Sequence, residues 1–442
     1  MGRRIKPAIL KGTRDYLPED AVRREFIIDR LKKIFRKYGF DPLETPSIEL
    51  WDTLGGKYGE DAEILIYRFK DHGGRDVGLR YDLTVPLSRV IAMHQDIPKP
   101  FKRYQIAPVW RADSPQKGRY REFYQCDFDI VGSSSLMADA EILAIVYESL
   151  SSLGFEDFSI RINSRKIIRG LVEVSGIPIE REHETARIID KLDKIGVTGV
   201  LNELESNGFK KESIKKIEKI ITLKFESNVE AIEFAREFFK DSESGSAGVE
   251  ELEQLLEFID ILGVPEGNVS VDLSLARGLD YYTGPIYEAV LKGVSLPSVS
   301  GGGRYDGLIK IFSGRDFPAT GGSLGLERIY QGLIDLDLLP DSLKTHTHVL
   351  VTVFNKKFMK ESASLARKLR EEGLNVDLYL GKKNLRAQLG YANDRGIRFA
   401  IFYGPDEMQA GVVTLKDLKL ETQKQVKINE VAEIIKEAIY GN

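Results

Sequence analysis

Apolar positions along the first third of the chain recur at two periods. Between Arg24 and Tyr38 they fall at Phe26, Ile27, Leu31, Ile34 and Phe35, the stripe of one helical face, and Gly39 ends the run. Pro42 and Pro46 mark an irregular connection into a strand. Strand-like runs follow at Ile64 to Phe69, Val77 to Leu79 and Tyr124 to Val131, with a helix over Met137 to Leu153. From about 165 to 265 the texture changes to Lys- and Glu-rich helical segments such as REHETARIIDKLDKIG and KKESIKKIEKIITLK, separated by Gly or Asn stops. This pattern predicts a helical insertion, with the Ser/Gly run Asp241 to Gly248 as its exit linker. In NVSVDLSL, Val269, Val271, Leu273 and Leu275 alternate with polar residues, and PIYEAVL follows a Thr-Gly turn signal. Two antiparallel strands are therefore expected to flank ARGLDYYTG, which puts chemistry-capable side chains at a strand junction. The last hundred residues alternate strand and helix patterns from THVLVTVFN to INEVAEIIKEAIY. That alternation predicts a separate small α/β domain on a mostly parallel sheet, with a hinge near Pro340 to Thr345.

Composition changes the picture in three ways. A chain of 442 residues, 42% hydrophobic and 30% charged, is a well-packed globular protein too long for one core, so two or three domains are expected. No uncharged apolar stretch approaches the roughly 20 residues needed to cross a bilayer. The start MGRRIKPAIL has too short an apolar run for a signal peptide, so no membrane association and a cytoplasmic setting are expected. A single cysteine, Cys126, excludes an internal disulfide, and five scattered histidines without a Cys or His partner at ligand spacing leave no zinc signature. The balance of 64 basic and 68 acidic residues gives −4, which announces no nucleic-acid binder. It is unevenly spread: residues 345 to 442 carry 16 basic and 12 acidic side chains, +4, against 48 and 56, −8, before them. A basic C-terminal unit can touch a phosphate backbone, although an excess this small is also met on ordinary solvated surfaces.

Nucleotide fingerprints fail. No G-x-x-x-x-G-K-[ST] is present, and GGGRYDG at Gly301 to Gly307 has the wrong spacing for G-x-G-x-x-G. If a nucleotide binds, arginines must hold its phosphates. Gly321-Gly322-Ser323-Leu324-Gly325 satisfies G-x-S-x-G, with Asp335 or Asp337 and then His346 or His348 downstream in hydrolase order. A nucleophile elbow needs an apolar strand before it, whereas DFPAT precedes this one and both histidines lie across the hinge. The simpler reading is a glycine strand packing closely before a helix whose apolar face is Leu326, Ile329, Tyr330, Leu333 and Ile334. Arg328 lies in the first turn of that helix, off the stripe. In FKRYQIAPVWRADSPQKGRYREFYQCDFDIVG two strand-like runs flank a polar loop, with Arg111 leaving the first and Arg119, Arg121 and Phe123 entering the second. Such a pair can set a guanidinium on a phosphate and a ring on a base, or it can be an ordinary hairpin with a charged loop.

That segment resembles the second signature motif of class II aminoacyl-tRNA synthetases, GGSLGLERI resembles the third, and the Pro46 region sits where the first, dimer-forming motif belongs. ARGLDYYTGPIYE and GGGRYDGL resemble the histidine-specific motifs of the histidyl-tRNA synthetase family, which LRYDLTVPLSR and KGTRDYLP also fit. The resemblance runs from about Lys11 to the C-terminus and is weakest in the helical insertion. It implies an α+β fold: an antiparallel-sheet catalytic domain in two parts, 1–168 and 248–340, around a helical insertion, 169–247, followed by an α/β anticodon-binding domain, 345–442. It also implies a homodimer that activates L-histidine with ATP, using Mg2+, and transfers the histidyl group to the 3′-terminal adenosine of tRNA(His).

Carried over by position, Arg111 bridges the α-phosphate and the histidine carboxylate, Arg277 is the main catalytic cation, Phe123 stacks on adenine, and Arg328 clamps the terminal phosphate. Asp113 belongs to the ATP site. Asp82, Thr84 and Gln125 hold the α-amino group; Asp129 and Tyr282 bond the ring nitrogens, with Tyr281 and Tyr305 shaping the pocket. Asp82, Asp113 and Asp129 stand where bacterial relatives carry Glu, whereas the loop SPQKGR looks bacterial and places Gln116 to read the extra 5′ guanosine of tRNA(His). The alternative is a catalytically silent, histidine-binding regulatory paralogue of ATP phosphoribosyltransferase, which lacks the C-terminal domain and tends to lose the arginines present here.

Overall fold

The computed structural model describes residues 5–58, 63–277, 281–340 and 342–440; Gly278 to Asp280 of the ARGLDYYTG segment lie outside the described residues. The chain divides into two compact units, Met1–Arg14 with Ile27–Leu338, and Asp15–Phe26 with Leu339–Asn442.

In the first unit, β1 (Asp41–Pro42), β2 (Ile48–Leu50), β3 (Arg68–Lys70) and β4 (Asp76–Leu79) are short, and β2, β4 and β3 form a small antiparallel sheet. The strand expected over Ile64 to Phe69 is shorter and later than the apolar run, because pairing with Asp76–Gly78 holds only Arg68–Lys70 extended. β5 (Phe101–Trp110) and β6 (Glu122–Val131) pair antiparallel over ten residues each, from Phe101 opposite Val131 to Trp110 opposite Glu122. With β7 (Phe158–Ser164), β8 (Val269–Val271), β9 (Pro285–Leu291), β10 (Ser300–Arg304) and β11 (Ala319–Gly325) they build an eight-stranded sheet in the order β1-β5-β6-β11-β10-β9-β7-β8. All its ladders are antiparallel except β1 with β5 and β7 with β8. β8 and β9 do run in opposite senses, as expected, but β7 lies between them, so they are not a hairpin.

Alternation along β6 gives the sheet its two functions. Cys126, Phe128 and Ile130 are buried on one face, where Phe35 of the helix Pro18–Lys37 lies 5.1 Å from Phe128, ring to ring. Burying a side chain of this size contributes about 1.5–3 kcal/mol. Phe123, Gln125, Asp127 and Asp129 point the other way and line a cavity. Glycines on β11 and β10 let polar side chains of the neighbouring strands occupy this second face, since a Cβ at Gly321 would stand 2.1 Å from Asp129 Oδ1 and one at Gly301 would stand 1.7 Å from Arg277 Nη1.

The insertion is helical, from Arg165–Val174 through Glu182–Ile189, Leu192–Ser206, Lys211–Thr222 and Asn228–Phe238 to Glu243–Ile261. The Ser/Gly run is not a linker. Ser242 caps the helix Glu243–Ile261 by accepting from Gly245 N–H, and a Cβ at Gly170 would come within 2.5 Å of Gly245 Cα. The small residues are there so that the first and last helices of the insertion can cross closely, which is the opposite of flexibility.

In the second unit, β12 (Val349–Val351), β13 (Val376–Leu378), β14 (Phe399–Phe402), β15 (Val412–Asp417) and β16 (Thr422–Lys427) form a sheet in the order β13-β12-β14-β15-β16. The expected parallel pattern holds for β13-β12-β14 only; β14-β15-β16 is antiparallel. The departure begins at β15, which pairs antiparallel with β14, and is extended by β16, whose TQKQVK sequence exposes five of six positions and so carries almost no apolar signal.

Candidate active site

A cavity of about 950 Å³ opens on the exposed face of the large sheet, and all thirteen residues nominated from the sequence line it. Its two ends differ in charge.

At one end arginines converge. Arg111 leaves the end of β5, donates from Nε to Tyr81 O at 3.1 Å, and sets its guanidinium 4.2 Å from the Tyr81 ring and 5.1 Å from Phe123. Arg328, in the first turn of the helix Leu326–Asp335, donates to Gly118 O (3.3 Å) and Ser298 O (2.6 Å). Burial lowers its affinity for a proton, and the neighbouring charges of Arg111, Arg119 and Arg277 add to this, bringing it down to about 10. Arginines that repel one another around a cavity are arranged for a polyanion. Arg277 follows the β8 strand and ion-pairs with Glu288 at 3.1 Å while donating to Tyr287 O at the same distance. Burial is the largest influence and opposes its charge, but Glu288 together with Tyr282, Asp190 and Tyr281 outweighs it and holds Arg277 firmly protonated. Asp113 is taken up by a two-pronged bond from Arg119 at 2.8 and 3.0 Å. Gln116 is exposed at the rim, in the loop between β5 and β6.

The other end is acidic and aromatic. Asp82 precedes the helix Thr84–Met93, and its Oδ1 accepts from Thr84 N–H (3.2 Å), Val85 N–H (3.0 Å) and the Tyr58 hydroxyl (3.0 Å). Burial raises its pKa despite those donors and the nearby Arg111. Asp129 is held by Arg103, fully buried, at 2.7 Å and by the Tyr305 hydroxyl at 2.5 Å. Burial again pushes its pKa up, opposed chiefly by Arg103. Tyr281 packs 4.8 Å from Tyr282 and 6.0 Å from Tyr305, and the last two belong to the buried cluster of Leu87, Ile91, Ile286 and Ile309. These rings are therefore fixed by the core.

Asp127 and Glu288 are charged lining residues that the sequence alone did not point to. Asp127 lies on the same face of β6 as Gln125 and Asp129, two residues from each, so the strand's alternation was the signal that could have found it. Glu288 alternates likewise on β9, and it links Arg277 to Arg161, 3.1 Å away. The hydrolase alternative fails on placement. Ser323 sits within β11 opposite Asp127, accepting from Gln125 Nε2 at 3.0 Å, while Asp335 is engaged by Lys117 and His346 by Glu25. Among the described residues no three His, Cys, Asp or Glu side chains form a group able to hold a metal.

Comparison with known proteins places the chain. The family model for histidyl-tRNA synthetase matches residues 12–329, and the model for an anticodon binding domain matches residues 348–438. The histidine–tRNA ligase of Gloeobacter violaceus is 42% identical over 96% of this chain and 97% of its own length. That of Aeropyrum pernix is 42% identical over 97% and 98%. The crystal structure of histidyl-tRNA synthetase from Nostoc sp. PCC 7120 superposes with a TM-score of 0.86 at 33% identity, over 98% of this chain and 100% of that one.

Proposed function

The chain belongs to the histidyl-tRNA synthetase family and joins histidine to tRNA, and from that premise we propose which of its side chains carry each part of the reaction. Histidine and ATP give histidyl-adenylate and pyrophosphate; the histidyl group then passes to the ribose of the 3′-terminal adenosine of tRNA(His). The substrate carboxylate is the nucleophile, so the protein has to align it with the α-phosphate and spread the charge that develops there.

The observation that carries this reading is the polarity of the cavity. An amino acid laid along it puts its ammonium among Asp82, Thr84 and Gln125 and its carboxylate toward Arg111 and Arg277. Both guanidiniums then reach the α-phosphate, and Arg328 lies farther along for the terminal phosphates. Phe123, which lies within 5.1 Å of the Arg111 guanidinium, offers the face on which adenine stacks. Asp113 supports the ATP site through Arg119. Imidazole lies between Asp129, made rigid by Arg103 and Tyr305, and the Tyr282 hydroxyl, with Tyr281 closing the side; Thr84 completes the ammonium end beside Asp82. Mg2+ enters with ATP and supplies charge neutralisation on the phosphates. Gln116, exposed on the β5–β6 loop, is placed to meet the 5′ end of the tRNA acceptor.

The protein works as a homodimer, which agrees with the exposure of Ile48, Leu50 and Phe69 on the small sheet. Among the described residues no helix is long and apolar enough to cross a membrane, and a cytoplasmic setting agrees with its tRNA and ATP substrates. The catalytically silent regulatory reading is disfavoured because the anticodon-binding match is present and the ligases align end to end. ATP–pyrophosphate exchange with each amino acid in turn is the test: exchange with histidine alone is expected, and histidine binding without exchange would favour the regulatory reading.

A further inference from the structure

The acidic end of the cavity is over-supplied with negative charge. Asp82, Asp127 and Asp129 are each at most 3% exposed, and the one fully buried guanidinium that meets them, Arg103, forms its ion pair with Asp129, leaving two of the three carboxylates without one of their own from it. Four acceptor atoms of lining residues there are buried without a hydrogen-bond partner, Asp82 Oδ2, Gln125 Oε1, Asp127 Oδ1 and Asp129 Oδ2, and of these the last faces an ion-pair partner, Arg103. Unpartnered buried acceptors cost free energy, and the cost rises when two belong to carboxylates that repel each other. The Gln125 amide is oriented by its neighbours, because Nε2 donates to Ser323 Oγ and Ser323 in turn bonds Asp127, which leaves Oε1 free. An α-ammonium carries three N–H donors and one positive charge, which answers both deficits.

We propose that Asp127 is a specificity-determining residue that, together with Asp82 and Gln125, forms a three-acceptor seat for the α-ammonium of histidine. This rests on the ligase reading above and extends it. Asp127 supplies the second anionic oxygen of the seat and, through Ser323, keeps the Gln125 amide turned toward the ligand. The charged and titratable groups facing Asp127 are Arg103 and Arg80, which favour its anion, and Asp129, Asp82, Tyr282 and Tyr305, whose own protons it helps to hold. Burial, with repulsion from Asp129 and Asp82 and despite Arg103, pushes its pKa up to about 7. A bound ammonium favours the anion, so binding takes a proton off Asp127 below that pH and takes none above it.

The test compares wild type with Asp127→Asn, which keeps the shape and removes the charge. In pyrophosphate exchange the KM for histidine is expected to rise ~10- to 100-fold, the range for a lost charge-assisted hydrogen bond, with the KM for ATP unchanged. Histidinol, which keeps the ammonium, should bind more weakly by the same factor, and imidazolepropionate, which lacks it, should not. An equal loss for both ligands, or none for histidinol, overturns the proposal. Wild type alone provides a second measurement that needs no folded variant. The ratio of histidinol to imidazolepropionate affinity, each corrected for that ligand's own separately titrated imidazole, should rise between pH 6 and 8; a flat corrected ratio overturns the proposal too. Absence of any histidine-dependent exchange by wild type would instead sink the ligase reading.

Discussion

Arg328→Gln tests whether the arginine end of the cavity is built for phosphates at the expense of the empty protein. Folding lowers the Arg328 pKa from its ordinary value by roughly two and a half units, to about 10. At 1.36 kcal/mol per unit, keeping this cation charged in the folded state costs about 3 kcal/mol at neutral pH, and that cost fades only as pH rises toward the folded pKa and beyond. The substitution also removes the bonds to Gly118 O and Ser298 O, each worth about 1 kcal/mol net, so the unliganded variant should be more stable by about 1 kcal/mol. ATP reverses the order. At ATP one hundred times its Kd the wild type gains about 2.7 kcal/mol, whereas a variant binding ~30-fold more weakly gains only about 0.9. Thermal unfolding with and without MgATP should therefore give melting curves that exchange places, and the KM for ATP in pyrophosphate exchange should rise by a similar factor. A variant that melts several degrees below wild type without ligand, yet keeps its KM for ATP, would refute the reasoning and make Arg328 a structural peg between Gly118 and Ser298.

Other substitutions probe separate parts of the site. Arg277→Ala should lower the exchange rate at least ~100-fold, the scale for removing one electrostatic stabiliser of a transition state, while leaving the melting temperature nearly unchanged because Glu288 keeps Arg161 as a partner; near-normal exchange would remove Arg277 from the mechanism. Gly321→Ala would put a Cβ 2.1 Å from Asp129 Oδ1 and displace that carboxylate from Tyr305 and Arg103, so the KM for histidine should rise ~10-fold with the KM for ATP unaltered, at a stability cost of about 1–3 kcal/mol. Gly170→Ala meets backbone 2.5 Å away at Gly245; denaturant titration should show a loss of about 1–3 kcal/mol with both KM values kept, whereas a stability-neutral result would restore the linker reading of the Ser/Gly run.

What could be read from the sequence tracks how local its cause is. The helix Leu136–Ser152 and the strand β6 differ by at most two residues from the ranges their apolar periods predict, because one neighbour-to-neighbour pattern sets both. The place of β7 between β8 and β9 had no such signal. Ile160 pairs with Ala289 on one side and Val269 on the other, contacts more than a hundred residues away that no window of sequence contains. The Ser/Gly run was misread because small residues serve a loose linker and a tight helix crossing equally well, and only the partner, Gly170, tells them apart. The arginines that converge on the cavity form no contiguous motif: Arg111, Arg277 and Arg328 come from three distant segments, so resemblance nominated them where spacing could not. Asp127 is the converse case. Resemblance passed over it, yet elementary alternation places it with Phe123, Gln125 and Asp129 on the ligand face of one strand. An aspartate in that position, buried between two residues proposed for the substrate, lies near Arg103 and Arg80, whose bonds go to Asp129 and to the carbonyls of Pro108 and Thr45, so the ligand's own positive charge is what we propose completes the strand.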